Sequence, residues 1–179
     1  MTTIALGLIT YNGAKYIGNV LEQLAPIVDE IVIVDSFSTD DTIAIATHYK
    51  AKIYERSFTG SYSELRNFAI DNTQSQYIIF MDCDEVLENP NILVNIDFEA
   101  DIYSMPRKNY IDNILQEHWY PDVQHRIIKT NSLVRYEGNL HEMPIGREDA
   151  VILDTHIIHR KTMIEQKYND KRYAEIDNK

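Results

Sequence analysis

Strand and helix patterns alternate along the first hundred residues of the chain. Four short runs rich in apolar and β-branched residues predict strands, at residues 4–9, 30–35, 52–55 and 77–81. Three segments between them have helical spacing of apolar residues or follow a capping residue, and they predict helices at residues 14–24, 42–50 and 64–71. This order predicts an α/β fold, in which a mostly parallel sheet carries helices on both faces.

The pattern is less regular after residue 100. Further strands are predicted at residues 101–106, 126–129, 134–136 and 151–158, and a polar final helix at residues 165–176. Five of the six histidines and the single tryptophan lie in this part. We expect one domain over residues 1–179, in which residues 101–179 form a small α+β elaboration of the sheet begun by residues 1–100.

The charge balance narrows the class of ligand. The chain has 17 Lys and Arg against 28 Asp and Glu, a net charge of −11, and only 5 of the basic residues but 15 of the acidic ones lie in residues 1–100. A chain with so little positive charge is poorly suited to hold a nucleic-acid backbone, so we expect no nucleic-acid partner. A bound divalent cation suits the acidic half better.

Cysteine content and hydropathy indicate the compartment. Cys83 is the only cysteine, which excludes an intrachain disulfide and a cysteine-based zinc site and fits a reducing environment. No apolar run approaches the roughly 20 residues that a membrane-spanning helix needs. We therefore expect no membrane span and a cytoplasmic protein, either free or peripheral to the inner face of a membrane.

Polar side chains follow several of the predicted strands. Asp35 ends the second strand, Asp82 follows the fourth, and the Thr10-Tyr11-Asn12 segment follows the first. Ligands of open parallel sheets bind outside the carboxyl ends of the strands. These residues therefore predict a binding site at one edge of the sheet. Asp35 could accept a hydrogen bond from a nucleobase or a ribose hydroxyl, while Asp40 or Asp41 caps the following helix.

The Asp82-Cys83-Asp84-Glu85 segment is the sharpest local motif. If the segment is extended, Asp82 and Asp84 point the same way, and two neighbouring carboxylates repel unless a cation or a proton lies between them. Oxygen ligands suit Mg²⁺ or Mn²⁺, often shared with a phosphate. The alternative is a solvated acidic turn. Neither a P-loop nor a G-x-G-x-x-G motif is present, so a cation at Asp82 and Asp84 would supply the charge neutralisation that such motifs give.

Taken together, these residues resemble those of the family 2 glycosyltransferases, the inverting enzymes of GT-A fold that use nucleotide sugars. The resemblance lies in four motifs in the family's order: Thr10-Tyr11-Asn12, the segment from Asp29 to Asp40, Arg66-Asn67-Phe68-Ala69, and Asp82-Cys83-Asp84-Glu85. The chain also resembles the small bacterial type that adds sugars to lipopolysaccharide core. That type has a D-x-Q-x-R run and a later H-E pair, matched here by Asp122, Gln124, Arg126 and His141-Glu142.

The resemblance implies a role for each matching residue. Residues lining the nucleotide-sugar pocket would be Thr10, Tyr11, Asn12, Asp35, Ser38, Arg66, Asp82 and Asp84. Among them, Asp35 would contact the base, most often uracil, and Arg66 would lie near the diphosphate or ribose. Mn²⁺ or Mg²⁺ would be held by Asp84 and Asp82. The family's apolar-apolar-His pattern matches Ile157-Ile158-His159, which favours His159 over His156 as a further ligand.

An inverting transfer also needs a base for the acceptor hydroxyl. The family places an acid near Glu142, which makes Glu142 the first candidate and Asp122 the second. The alternatives are that Glu142 only orients His141 and that Asp122 only forms a turn. Acceptor contacts are expected from a further group, Trp119, Tyr120, Gln124, Arg126 and His141, although Trp119 and Tyr120 could equally pack a loop onto the sheet.

The sequence thus predicts a metal-dependent inverting glycosyltransferase. Its donor would be a nucleotide diphosphate sugar, expected to be UDP-linked, and its acceptor a glycan or a lipid-linked glycan. Two other functions remain open. A nucleotidyltransferase also combines an α/β sheet with carboxylate-bound Mg²⁺, although it usually has a glycine-rich loop after the first strand. A non-catalytic sugar-nucleotide-binding module would keep Asp35 and Asp84 but need no base.

Overall fold

A parallel four-stranded unit forms the first half of the fold. The structure is a computed structural model, and it describes residues 2–177. The strands of this unit are β1 (Ile4–Thr10), β2 (Glu30–Asp35), β3 (Lys52–Glu55) and β4 (Tyr77–Met81), in the order β3-β2-β1-β4. The helices between them are α1 (Ile17–Leu24), α2 (Thr42–His48) and α3 (Tyr62–Asn72). These elements confirm the predicted α/β alternation.

The second half extends the same sheet. Its strands within the ten-stranded sheet are β5 (Glu85–Leu87), β6 (Ile102–Ile111), β7 (Ile114–Leu115), β8 (Asp122–Lys129), β11 (Val151–Ile152) and β12 (Ile157–Lys161). The strands β9 (Tyr136–Glu137) and β10 (Met143–Pro144) form a separate pair, and the remaining helices are α4 (Ile92–Asn95) and α5 (Met163–Asp177). Strand β8 joins the halves because it pairs antiparallel to β4 and to β6.

Alternate residues of the parallel strands pack on opposite faces of the sheet. Leu6 and Leu8 of β1 pack in the cluster that contains the buried face of α1, whereas Val32 and Val34 of β2 pack with α3. Because both faces are covered, the strands β1, β2 and β4 are apolar at most positions, and this is why these runs in the sequence lack polar alternation. The edge strand β3 is less buried and begins and ends with a charged residue.

Several predicted boundaries were wrong. The observed α3, β6, β8 and α5 extend beyond the predicted ranges 64–71, 101–106, 126–129 and 165–176. Helix α1 begins at Ile17 because residues 13–16 form a turn, in which the Tyr16 amide donates to the Gly13 carbonyl at 3.0 Å. Helix α2 ends at His48. Only Tyr136 of the predicted strand 134–136 lies in a strand. The predicted strand 151–158 is two strands. Val151 pairs with Tyr103 and Ile157 with Arg107, so the seven residues 151–157 lie opposite five residues of β6, and the surplus residues leave the sheet.

The carboxyl ends of β1, β2 and β4 lie at the same edge of the sheet. Thr10 pairs with Asp35 in parallel register, and Leu8 pairs with Met81, the last residue of β4. The loops that follow these three strands therefore surround one region, which is the position predicted for a ligand. No helix within residues 2–177 is both long and apolar enough to cross a membrane.

Candidate active site

The Asp35 side chain links the end of β1 to the loop after β2, at the edge of the sheet where the parallel strands end. It is fully buried; Oδ1 accepts hydrogen bonds from Thr10 Oγ1 at 2.7 Å and Ser38 Oγ at 2.6 Å, and Oδ2 accepts one from the Ser38 amide at 2.7 Å. The structure thus brings together Thr10, Asp35 and Ser38, as the sequence predicts. These donors occupy three of the roughly four acceptor positions of the carboxylate, and the second position of Oδ2 remains for a ligand.

Asn12 ties the first loop to the second. Its amide donates to Ser38 Oγ at 2.8 Å, and its side-chain Oδ1 accepts from the Thr39 amide at 2.8 Å. Asn12 has a φ of 51°, a left-handed conformation that asparagine adopts more readily than most residues. The neighbouring Tyr11 ring is 52 % exposed. An exposed aromatic ring on an ordered loop is therefore available to a ligand at this edge.

Asp40 provides the helix-capping contacts of α2. Its carboxylate accepts from the Thr42 amide at 3.1 Å and the Ala14 amide at 3.0 Å, and it also bonds the Thr42 hydroxyl. Asp41 occupies the N-cap position but its side chain makes no capping bond. Of the two candidate caps, Asp40 is the one that acts, and it links α2 to the β1–α1 loop.

The acidic motif forms a turn, so the expectation of an extended segment was wrong. The Glu85 amide donates to the Asp82 carbonyl at 3.0 Å, which closes a turn over Asp82, Cys83 and Asp84. Gly13 leaves room for this turn, because a Cβ at Gly13 would come within 3.0 Å of Cys83 Sγ. In this turn, the side chains of Asp82 and Asp84 contact different residues: arginines for Asp82 and a histidine for Asp84.

Asp82 belongs to an arginine–carboxylate cluster formed by Arg66, Arg107, Arg126, Asp82 and Glu85. Arg66 Nη2 donates to Asp82 Oδ1 at 3.2 Å and Arg126 Nη2 to Asp82 Oδ2 at 3.1 Å. Partial desolvation acts to raise the pKa of Asp82, but the charges of Arg126 and Arg66 outweigh it and hold that pKa well below its ordinary value. Asp82 is therefore ionised and already compensated by two buried cations.

Glu85 is the buried centre of the arginine–carboxylate cluster. Its side chain is fully buried, and Oε1 accepts from Arg107 Nη1 at 2.9 Å and Arg126 Nη2 at 2.8 Å. Oε2 accepts from the Asp82 amide at 2.9 Å. Glu85 thus connects two arginines to the main chain of the acidic turn.

Arg66 carries the connection on to Glu142. Arg66 Nε donates to Glu142 Oε1 at 2.6 Å, while the guanidinium lies 5.1 Å from the Phe80 ring centroid and 5.5 Å from that of Tyr136. The Glu142 side chain is 11 % exposed. Arg66 therefore contacts both Glu142 and Asp82, so these two carboxylates are near each other in the fold although they are far apart in the sequence.

Asp84 faces a histidine. His159 Nε2 lies 3.1 Å from Asp84 Oδ2, and His159 Nδ1 lies 2.7 Å from Asn109 Oδ1. His159 is buried on β12, next to Glu85 of β5 and Asn109 of β6. His156 instead contacts Glu88 and Tyr120, away from Asp84.

Asp122 lies at the far side of Asn109. Its Oδ2 accepts from Arg107 Nε at 2.8 Å and Asn109 Nδ2 at 2.8 Å, and its Oδ1 accepts from Gln124 Nε2 at 2.7 Å. Partial burial acts to raise the pKa of Asp122, but the charge of Arg107 and these hydrogen bonds hold it below its ordinary value. A carboxylate with three donors and a lowered pKa is a weak proton acceptor.

The aromatic candidates lie apart from the arginine–carboxylate cluster. Tyr120 donates to or accepts from His156 Nε2 at 3.0 Å and stacks on that ring, and Trp119 contacts the ring of His118. Both Trp119 and Tyr120 remain more than 40 % exposed. The His141 ring instead lies 6.2 Å from that of Tyr173.

Helix α5 packs back across the first loop. Glu165 Oε1 accepts from Lys15 Nζ at 2.7 Å and from the Tyr16 hydroxyl at 2.6 Å. Burial above all, with Tyr62, Asp82 and Asp84 adding to it, raises the pKa of Tyr173. Helix α5 is therefore fixed to the loop that follows the carboxyl end of β1.

Comparison with known proteins places this geometry in a family. The family model "Glycosyl transferase family 2" matches residues 6–166, which is most of the chain. The chain belongs to glycosyl transferase family 2. It is 30 % identical over 150 residues to the SPbeta prophage-derived glycosyltransferase SunS of Bacillus subtilis, a match that covers 80 % of this chain and 35 % of SunS. The chain thus spans about a third of the length of that relative.

Solved structures agree with the family assignment at the level of fold. The Staphylococcus aureus TarS fragment 1–349 in complex with UDP-GlcNAc matches with a TM-score of 0.62 and 20 % identity, over 89 % of this chain and 59 % of that one. Glucosyl-3-phosphoglycerate synthase from Mycobacterium tuberculosis, in complex with Mn²⁺, UDP and its product, matches with a TM-score of 0.63 and 16 % identity, over 92 % of this chain and 74 % of that one. The predicted GT-A fold is confirmed.

The family implies a divalent cation, and the residues present can be tested against one. Within residues 2–177, no group of three or more His, Cys, Asp or Glu side chains could hold an ion alone. Asp84 Oδ2 and His159 Nε2 are 3.1 Å apart, close to the separation of about 3 Å between neighbouring ligands at about 2.1 Å from an octahedral ion. This pair fits a cation that takes its other ligands from a diphosphate and water.

Sequence reasoning missed three residues of this family 2 site. Glu85 belongs to the acidic motif but received no role from the sequence, and Arg107 and Asn109 were not singled out. A signal was present: Arg107 and Asn109 follow Met105 at alternate positions of β6, so one face of the strand changes from apolar to polar. Two polar side chains of a central strand that face the same side indicate a buried polar site.

Proposed function

We propose that this family 2 domain is a metal-dependent inverting glycosyltransferase, with a nucleotide diphosphate sugar as donor and a glycan or lipid-linked glycan hydroxyl as acceptor. The observation that supports this function above all is the bridge formed by Arg66 between Asp82 and Glu142. It holds an acid beside the acidic turn, and a module that only bound a sugar nucleotide would not need that acid.

The donor side is proposed to be the loops after β1, β2 and β4. Tyr11 supplies an exposed ring, and Asp35, with Thr10 and Ser38, keeps the first two loops in place. We propose UDP as the nucleotide, because TarS, with a similar fold, is described with UDP-GlcNAc, and glucosyl-3-phosphoglycerate synthase, also similar in fold, with UDP and Mn²⁺.

Asp84 and His159 are the proposed protein ligands of the cation, and Asp82 stays with the arginines. A cation bound there stabilises the negative charge of the departing nucleoside diphosphate. Arg66 and Arg126 are fixed in place by Asp82 and Glu85. Their charges lie on the same side of the acidic turn as the diphosphate proposed to bind there.

The proposed transfer is a single displacement. The acceptor hydroxyl oxygen attacks the anomeric carbon from the face opposite the leaving group and forms the new glycosidic bond. The bond from that carbon to the diphosphate oxygen breaks, and its electron pair leaves with the nucleoside diphosphate. The hydroxyl proton passes to a carboxylate oxygen of Glu142.

Glu142 is favoured over Asp122 as the base by their hydrogen bonds. Within residues 2–177, Glu142 accepts one hydrogen bond, from Arg66, whereas Asp122 accepts three. The lowered pKa of Asp122 further weakens it as a proton acceptor. Gln124 and Arg126, which are expected to contact the acceptor, donate hydrogen bonds to Asp122 and Asp82 respectively.

A thermal-shift panel tests the donor and the cation together. UDP-, GDP-, dTDP- and CDP-sugars are each added with and without Mn²⁺. A ligand at one hundred times its Kd stabilises the folded state by about 2.7 kcal/mol, which corresponds to roughly 5–11 °C for a chain of this size. We expect the shift with UDP-sugar and Mn²⁺, its loss in Asp84→Asn, and its retention in the control Asp97→Asn, an exposed carboxylate after α4.

Glu142→Gln tests the base. The amide oxygen can still accept from Arg66, so we expect nucleotide binding to persist while release of nucleoside diphosphate is abolished. Glu137→Gln on the neighbouring strand is the matched control and keeps full release. Unchanged release in Glu142→Gln contradicts the assignment of the base. Release of a sugar 1-phosphate indicates nucleotidyl transfer from the same donor, and binding without any release indicates a binding module.

A further inference from the structure

Asn109 and His159 are neighbours on adjacent parallel strands. His159 of β12 is in direct register with Asn109 of β6, and both side chains are buried. Asn109 Oδ1 lies 2.7 Å from His159 Nδ1, and Asn109 Nδ2 donates to Asp122 Oδ2 at 2.8 Å. Hydrogen bonds thus link Asp122, Asn109 and His159, and the other ring nitrogen of His159 lies beside Asp84.

Asp122 determines which way the Asn109 amide points. An ionised carboxylate only accepts hydrogen bonds, so the NH₂ group of Asn109 must face it. The amide oxygen of Asn109 therefore faces His159. Because that oxygen also only accepts, His159 Nδ1 must carry a hydrogen. In the neutral ring, this leaves the lone pair on Nε2, so Nε2 and Asp84 Oδ2 are two acceptors 3.1 Å apart. Two such acceptors repel unless a cation or a proton lies between them.

We propose that Asn109, held by Asp122, is a positioning residue that fixes His159 in the Nδ1–H tautomer, so that Nε2 is available to bind a cation beside Asp84. This inference builds on the cation site of the proposed function. It also gives Asp122 a role other than that of a base. Hydrogen bonds to the second nitrogen of a metal-binding histidine set its tautomer and orientation, and their loss typically lowers metal affinity by 10–100-fold.

Nitrogen-15 NMR of the histidine rings tests the tautomer without any metal. The spectra are recorded on metal-free protein at pH 9, where an ordinary imidazole is neutral, and His159 is assigned by its loss in His159→Gln. We expect the Nδ1–H pattern in the wild-type protein. An Nε2–H pattern overturns the positioning role, and this result does not depend on how any variant folds.

Variants extend the test to metal affinity. Asn109→Leu is similar in size but makes neither hydrogen bond, and we expect a mixture of ring tautomers and a 10–100-fold higher Kd for Mn²⁺ with UDP present. In Asp122→Asn, the amide oxygen can still accept from Asn109 at the Oδ2 position, so we expect the Nδ1–H pattern to be retained. Asn95→Leu on the exposed face of α4 is the matched control, with Mn²⁺ affinity unchanged.

The outcomes separate this inference from the proposed function. A wild-type protein that has the Nδ1–H pattern but binds no Mn²⁺ overturns the cation site of the proposed function. A wild-type protein that binds Mn²⁺, together with a folded Asn109→Leu variant of equal affinity and unchanged ring pattern, overturns the role of Asn109 alone.

Discussion

Replacement of the buried Glu85 carboxylate by an amide tests whether the arginine–carboxylate cluster holds the acidic turn in place. In Glu85→Gln, the amide oxygen can still accept from Arg107 and Arg126, but the negative charge is lost. The amide nitrogen of the new side chain must then face the Asp82 main-chain N–H, and both groups are donors. In the wild-type protein, Glu85 Oε2 accepts a hydrogen bond from that N–H at 2.9 Å. The variant therefore loses one hydrogen bond and leaves two buried arginines less compensated.

The expected destabilisation follows from these contacts. Hydrogen bonds to charged groups contribute about 1.5–3 kcal/mol each, and Glu85 Oε1 accepts two of them, from Arg107 and Arg126. Removing one partner of a buried ion pair typically costs about 3–5 kcal/mol. For a chain of this size, 1 kcal/mol corresponds to about 2–4 °C. We expect Glu85→Gln to lower the free energy of unfolding by about 3–5 kcal/mol and the Tm by roughly 6–20 °C.

The assay is urea unfolding, with thermal unfolding as a second measurement. Glu88→Gln is the matched control, three residues further along the chain. Glu88 pairs with Lys108 at 2.8 Å but is 48 % exposed, and exposed ion pairs contribute about 0–1 kcal/mol. If Glu85→Gln is within 1 kcal/mol of the wild-type protein, or no less stable than Glu88→Gln, the energetic role assigned to the arginine–carboxylate cluster is wrong.

Two further predictions concern stability. Gly7→Ala should lower the free energy of unfolding by about 1–3 kcal/mol, because a Cβ at this position would come within 2.7 Å of the Phe80 ring. A Cβ at Gly18 in α1 would meet no described atom within 4 Å, so Gly18→Ala should leave the free energy of unfolding unchanged or raise it by up to about 1 kcal/mol. Equal urea midpoints for the two variants would contradict this prediction. Partial burial acts to raise the pKa of Glu165, but its hydrogen bonds with Lys15 and Tyr16 lower it from 4.5 to about 2. Its stabilisation is therefore full above pH 4.5 and is lost as the pH falls toward 2, so the stability gap between wild type and Glu165→Gln should narrow over that range; a constant gap would contradict it.

The strands of the first half were predictable because their residues satisfy a simple requirement. A strand covered on both faces is apolar along its middle, and residues 30–35 and 77–81 match β2 and β4 at both ends. Boundaries were harder to predict where a turn competes with a helix. Residues 14–16 are compatible with the helical spacing of residues 17–24, but they form a turn in which the Gly13 carbonyl accepts from the Tyr16 amide as well as from the Ile17 amide. The spacing of apolar residues alone does not show where a turn replaces the start of a helix.

The site was predictable in its position but not in its pairings. Strand ends and acids placed Asp35, Asp82 and Asp84 at one edge, and the structure has them there. The alternation rule failed for Asp82 and Asp84, because a hydrogen bond between main-chain atoms closes the turn and separates their directions. The ion pair between Arg66 and Glu142 joins residues 76 positions apart, and no local pattern in the sequence predicts such a contact.

The turn makes the two aspartates of one motif chemically different. Asp82 lies between Arg66 and Arg126, so its charge is balanced before any ligand binds. Among residues 2–177, the side-chain contact of Asp84 is with the His159 ring, whose Nε2 lies 3.1 Å from Asp84 Oδ2. A divalent cation gains most where a carboxylate is not already compensated, and repulsion from two nearby guanidinium groups opposes binding at Asp82. The charge distribution therefore favours a cation held by Asp84 and His159, with the arginines left to face the donor's phosphates.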